Sequence, residues 1–212
     1  MKTEKDFLEY LKTIEQIARE EGCDSLNEIY VEHLRCRFFG QDIVIAKSER
    51  ICLREIKEND LEAFYSFSDA AKEPVLKAFL KETREESEIY LRDYISHMYP
   101  MFDYGIWTVE RVCDGKIIGL CGLGRVAIDG MECTDLGYYI CPECRKRGFA
   151  AECIEMVLDY AKNYLEIPWI YAITREENMI SGKILRKFGF QYQKDYEESG
   201  EKLLIFQRNL GL

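Results

Sequence analysis

Two periods of apolar positions alternate along this chain, and each change of period marks an element boundary. Phe7, Leu11, Ile14 and Ala18 fall on one stripe of a helix over 4–21, with charged residues between them. Gly22 stops that helix. Asp24 or Ser25 is placed to cap a second one, which runs to about Phe39 on Leu26, Ile29, Tyr30, Leu34 and Phe38. Gly40 breaks the pattern, and a short strand over 42–46 precedes a better one over 50–56, where apolar and polar positions alternate. Asn59-Asp60 opens a helix with Leu61, Phe64 and Phe67 inward. A further helix over about 85–98 carries Ile89, Tyr90, Tyr94 and Ile95, and the loop Tyr99-Pro100-Met101-Phe102 ends it.

Strand periodicity returns at 106–112 and 117–127, joined by the hairpin turn Cys113-Asp114-Gly115-Lys116. A turn at Asp129-Gly130 leads back into a strand over 135–141. Strands joined by such tight turns are antiparallel neighbours. A helix from about 149 to 164 and a strand over 169–174 follow, which implies one parallel crossover. A short helical segment over 178–190 comes next, and a closing hairpin uses Phe190, Tyr192 and 203–206. The fold class is therefore α/β (α+β), with a mixed, mainly antiparallel sheet flanked by helices. Residues 1–47 form a helical N-terminal extension and residues 48–212 the main domain. The extension is too small for an independent domain, and its stripe packs on the main domain or on a second subunit, which leaves a homodimer open.

Composition narrows the class. The chain has 212 residues, 47% hydrophobic and 32% charged, enough to bury a core. No apolar run reaches the ~20 residues of a bilayer span, and the charged N-terminus leads into no signal-peptide core, so the expected location is cytoplasmic with no membrane partner. A net charge of −10 argues against nucleic acid as a partner. Nine cysteines without an export signal read as reduced thiols. Cys141-Pro-Glu-Cys144, flanked by Cys133 and Cys153, lacks the second close pair or His pair of a zinc site, since His33 and His97 lie far off. No metal is expected. Gly119-Leu-Cys-Gly-Leu-Gly124 sits inside a strand and opens no helix, which excludes a dinucleotide fingerprint.

Candidate chemistry concentrates at Arg145-Lys-Arg-Gly-Phe-Ala150, a turn between a strand and a helix. Gly148 permits close backbone approach and Ala150 keeps the first helical turn uncrowded. The N–H groups of residues 146–151, at the positive end of the helix, suit a pyrophosphate, with Arg145 and Lys146 adding charge. An ordinary basic turn before a helix carries the same letters.

The surrounding motifs add specificity. Arg145-x-x-Gly148-x-Ala150 is followed by Asn178-x-x-Ser181 and by Leu185-x-Lys187-x-Gly189-Phe190; Ile51-Cys-Leu-Arg-Glu-Ile56, Asn59-Asp60 and Ile117-Ile-Gly119 precede it. In this order and spacing the chain resembles the GNAT superfamily of N-acetyltransferases, in particular its ribosomal-protein N-terminal acetyltransferase-like branch, over about residues 48–210. The resemblance implies central strands that splay apart. It implies acetyl-CoA as acyl-donor cosubstrate and an amine acceptor, a small molecule or a protein N-terminus, attacking the thioester directly. It implies cofactor contacts from Tyr139, Ile140 and Cys141 along the strand, from Arg145, Lys146, Arg147, Gly148, Phe149, Ala150 and Ala151 at the turn, and from Asn178 and Ser181.

Asp135 matches the position of a catalytic carboxylate in several members, and strand alternation puts it on one face with Gly137 and Tyr139. Glu132 is the weaker alternative, and a salt-bridged strand carboxylate is the plain reading of either. Many members carry a tyrosine acid where this chain has Leu185; in the branch it resembles, the serine matched by Ser181 takes that part. Ser181 and Asn178 also fit simple helix-end roles. Tyr138 or Tyr139 is placed to reach the acceptor. The competing function is a non-catalytic acyl-CoA-binding or interaction module on the same fold.

Overall fold

A computed structural model describes residues 2–23, 25–69, 73–198 and 200–211. These fall into two compact units, residues 1–44 and 45–212.

In the first unit, α1 (Glu4–Glu20) starts at Thr3, whose hydroxyl accepts from the Asp6 N–H while the Asp6 carboxylate accepts from the Thr3 N–H. The cap of α2 (Glu28–Phe39) is Asn27, whose side chain accepts from the Ile29 N–H at 2.8 Å. The expected cap at Asp24 or Ser25 is thus corrected to Asn27, and residue 24 lies outside the described residues. Asn27 wins because it stands two residues before a free first-turn donor. The two helices close on each other through Phe7, whose ring lies 5.6 Å from Phe38 and 6.0 Å from Phe39, and through Tyr10 stacked on Phe38. Ile29, expected on the apolar stripe, is instead 47% exposed.

In the second unit, β1 (Val44–Lys47) and β2 (Ile51–Arg54) lead to α3 (Leu61–Ser66), α4 (Pro74–Lys77) and α5 (Arg84–Phe102). The meander β3 (Ile106–Arg111), β4 (Lys116–Ile128) and β5 (Met131–Ile140) follows, then α6 (Phe149–Asn163), β6 (Trp169–Arg175), α7 (Met179–Lys187), β7 (Gln191–Glu198) and β8 (Glu201–Asn209). Among the described residues the strands form one sheet in the order β1-β2-β3-β4-β5-β6-β8-β7. Asp129 and Gly130 both have positive φ, 52° and 79°, which gives the β4–β5 hairpin the twist-matched two-residue turn. α5 does not stop at a loop before Tyr99: it continues through Pro100 to Phe102. Tertiary bonds hold that last turn, since the Tyr99 hydroxyl accepts from the Ile56 N–H at 3.1 Å and donates to the Ile106 carbonyl at 2.5 Å.

β4 and β5 pair without interruption from Gly119↔Ile140 to Ile128↔Met131. The parallel pairing of β5 with β6 registers at Asp135↔Tyr171, and beyond it β5 runs on to Ile140 with no ladder on that side. The strands part there. α6 lies against β4 and β5, burying Cys153, Val157 and Ala161 in one core with Trp107, Leu120, Cys121 and Leu136.

The β2–α3 corner is fastened by a buried ion cluster. Arg54 reaches Asp60 at 2.7 Å and Glu110 at 2.9 Å, and the Thr108 hydroxyl donates to Asp60 at 2.8 Å. Removing Asp60 takes the buried partner from Arg54, leaving only the more exposed Glu110, and takes the acceptor from Thr108, so Asp60→Ala is expected to lower unfolding free energy by about 3 kcal/mol, read from urea denaturation midpoints.

Candidate active site

β5 ends at Ile140, and residues 142–144 make one turn of 3-10 helix before the chain reaches the basic turn. Lys146 (φ 60°) and Gly148 (φ 86°) both occupy the left-handed region, which reverses the chain into α6. Gly148 caps α6 with no side-chain hydrogen bond, and the first backbone bond inside the helix runs from the Glu152 N–H to the Gly148 carbonyl at 3.1 Å. From Lys146 through Ala151 no backbone N–H meets an acceptor among the described residues. The turn therefore gathers unpaired donors at a positive helix end, with the exposed Lys146 and Arg147 beside it, and suits an anion of pyrophosphate size.

Arg145 does not join them. Its Nε donates to the Ile140 carbonyl at 2.8 Å and its Nη2 pairs with Asp69 at 2.6 Å, with Glu73 at 3.6 Å. The expectation that Arg145 adds free charge to the turn is corrected accordingly: Asp69 compensates its cation, and the net positive charge comes from Lys146 and Arg147. The strand contacts narrow as well. The Cys141 N–H donates to the Ile118 carbonyl at 2.8 Å, so Cys141 and, by alternation, Tyr139 turn their backbones to β4. Of the three residues expected along the open edge, Ile140 faces it, joined by Tyr138.

Tyr138 and Ser181 share a hydrogen bond of 2.8 Å. Burial pushes the Tyr138 phenol up to about 12, although its bond to Ser181 pulls the other way. Ser181 is 8% exposed, and its N–H is held by the Asn178 side chain at 3.1 Å. Asn178 is thus the N-cap of α7, while the Ser181 hydroxyl is turned to Tyr138 and leaves the helix end to Asn178. Leu185 is buried in the core. Tyr139 does not stand free: its hydroxyl donates to Asp69 at 2.5 Å and its ring packs 5.3 Å from Phe67.

Asp135 lies opposite Gly124, and a Cβ on that glycine would come within 2.6 Å of its Oδ1. The glycine-rich stretch of β4 thus makes room for a strand carboxylate. Burial pushes the Asp135 carboxyl up to about 6, in the range of a general base. Glu132, the alternative carboxylate, is exposed and ion-paired with Arg125. Alternation along β5 sets Asp135 on the face opposite Tyr138, so the structure brings Tyr138 to Ser181 and keeps Asp135 apart from both. Glu73, whose carboxyl burial raises, adds a half-buried acid near Arg145 that sequence spacing could not find.

The cysteines are free thiols, and burial pushes Cys141 up to about 12, far from a reactive thiolate. No cluster of three His, Cys, Asp or Glu able to hold a metal occurs among the described residues, nor does a helix long and apolar enough to cross a membrane. An open groove of about 1210 Å³ lies between α3 and α5, lined by Tyr65, Leu80, Ile89 and Tyr90, and it approaches the site through Phe67.

Residues 50–191 match the family model described as Acetyltransferase (GNAT) domain. The uncharacterized N-acetyltransferase YoaA of Bacillus subtilis (strain 168) is 30% identical over 149 residues, 69% of this chain and 82% of that protein. Among solved structures, the ribosomal-protein-S5-alanine acetyltransferase from Vibrio fischeri superposes with TM-score 0.63 at 14% identity, covering 80% of this chain and 98% of that one. The spermidine/spermine N-acetyltransferase SpeG from Vibrio cholerae gives 0.59 at 18% identity, covering 77% and 95%. At these identities the two structures establish the shared fold.

Proposed function

The chain belongs to the GNAT acetyltransferase family, and from that premise we propose that it transfers an acetyl group from acetyl-CoA to a primary amine by direct attack on the thioester. The observation that carries the reading is the run of unpaired N–H groups from Lys146 to Ala151, on the turn that follows the unladdered edge of β5. In this reading the turn holds the pyrophosphate, with Lys146 and Arg147 adding charge and Gly148 letting the phosphates approach the backbone. Phe149, Ala150 and Ala151 donate from the first turn of α6. The edge of β5 at Tyr138 and Ile140 supplies strand-like hydrogen bonds to the pantetheine amides, and a backbone N–H there steadies the developing oxyanion. Bound acetyl-CoA supplies the activated acyl group; the protein orients it and moves protons.

Residues 48–212 are the catalytic domain in this proposal, and residues 1–47 a helical extension. Asp135 takes the ammonium proton through a water, and Ser181, backed by Tyr138, returns one to the thiolate. Ser181→Ala is expected to lower kcat about 10–100-fold with a smaller effect on the KM of acetyl-CoA, read from steady-state thiol release. An equal rise in KM with kcat intact would instead make Ser181 a binding group. The substrates in the names of the two structural neighbours, an alanine of a ribosomal protein and spermidine/spermine, are of different classes and do not choose between them. Calorimetric titration with acetyl-CoA tests the cosubstrate: saturable binding is expected, and no heat at millimolar ligand overturns the reading.

A further inference from the structure

The turn that presents those N–H groups is itself held from a distant part of the chain. Arg50, in the tight turn between β1 and β2, extends its guanidinium across to α6. Its Nη1 donates to the Arg147 carbonyl at 3.1 Å. Its Nε donates to the Glu152 carboxylate at 2.8 Å, and its Nη2 bonds the same carboxylate. The guanidinium plane also lies over the Phe149 ring, 4.8 Å from its centroid. The mount for this arm is built as well: Ser48 Oγ accepts from the Arg50 N–H at 3.0 Å and donates to the other oxygen of Glu152 at 2.5 Å.

We propose that Arg50 is a positioning residue for the anion-binding turn, fixing the direction of its N–H groups and cancelling the charge of Glu152 beneath them. The inference rests on the reading of residues 146–151 as the pyrophosphate site. Two physical effects act together. Tying the Arg147 carbonyl back to Arg50 fixes the peptide plane joining Arg147 to Gly148, so the Gly148 N–H on the same plane points the opposite way, toward the anion. Glu152 stands one turn into α6, where an uncompensated carboxylate would repel a phosphate; the Arg50 fork and Ser48 occupy both of its oxygens. Lysine cannot replace this arrangement, because the planar fork serves a carboxylate and a carbonyl at once.

The test compares two acyl donors, acetyl-CoA and S-acetylpantetheine, which lacks the pyrophosphate. The readout is the ratio of their kcat/KM values with one amine acceptor. Wild-type protein is expected to favour acetyl-CoA strongly. Arg50→Met is expected to reduce that ratio about tenfold, because it weakens the donor that uses the turn and spares the donor that does not. Arg50→Lys is expected to reduce it by a smaller factor, and carries the test should Arg50→Met fail to fold. Adding Glu152→Gln to Arg50→Met is expected to recover part of the loss. A merely structural Arg50 would depress both donors equally, so an unchanged ratio in both Arg50 variants overturns the inference while leaving the pyrophosphate site standing. A wild-type ratio near one would remove the pyrophosphate site itself, and the role of Arg50 with it.

Discussion

Gly148→Glu is expected to abolish detectable acetyl-CoA binding. Gly148 sits at φ 86°, a conformation that costs an L residue about 1–2 kcal/mol before any contact is counted. A Cβ there would stand 3.4 Å from Arg50 Nη2, so the strain is chiefly in the backbone and the fold should survive. The larger effect is on the ligand. The new side chain starts toward Arg50, so its carboxylate competes with Glu152 for that guanidinium and adds a negative charge beside the unpaired N–H groups of 146–151, which a phosphate meets as repulsion. A loss of at least ~100-fold in affinity follows, read by calorimetry, with thermal unfolding as the control for folding. Gly148→Ala, which carries the strain without the charge, should lose much less. Wild-type affinity in Gly148→Glu would mean that the pyrophosphate binds elsewhere.

Asp135→Asn is expected to lower kcat by about 10²–10⁴-fold, the range for loss of a general base. The same change should alter the pH profile. With its carboxyl raised to about 6 by burial, Asp135 is protonated below that pH and cannot accept a proton, so wild-type kcat/KM rises between pH 5 and 7. Asp135→Asn should flatten that limb. Stability runs the opposite way: the folded state holds this proton above the unfolded range, so the contribution of Asp135 is full below about pH 4 and is lost as pH rises through 6. Asparagine at this position should therefore make the protein no less stable at pH 8 while removing activity. A pH limb that survived the substitution would assign it to another group, with Glu73, whose carboxyl burial also raises, the candidate.

Local patterns carried much of this in the sequence. The turn at Arg145–Ala150 was legible because each requirement, a positive-φ glycine, a small residue and a helix with periodic apolar positions behind it, falls within a few residues. The splay between β5 and β6 came only through family resemblance, since no local letter distinguishes a strand that stops pairing. What was missed depends on distance. Arg50 meets Glu152 across 102 positions, Asp69 meets Arg145 across 76, and Tyr138 meets Ser181 across 43; nothing in a linear pattern marks such pairs. Arg145 reads as a phosphate ligand until the fold supplies Asp69. Pro100 reads as a helix stop until the tertiary bonds of Tyr99 hold the last turn together.

The reading as an acetyltransferase is tested most directly by following CoA release from acetyl-CoA while amines of different classes are supplied: a peptide N-terminus, a polyamine, an amino sugar and an amino acid. At least one class should drive release that depends on both substrates and yields the acetylated amine by mass spectrometry. Acetyl-CoA binding with no amine-dependent release from any class would contradict catalysis and leave an acyl-CoA-binding module.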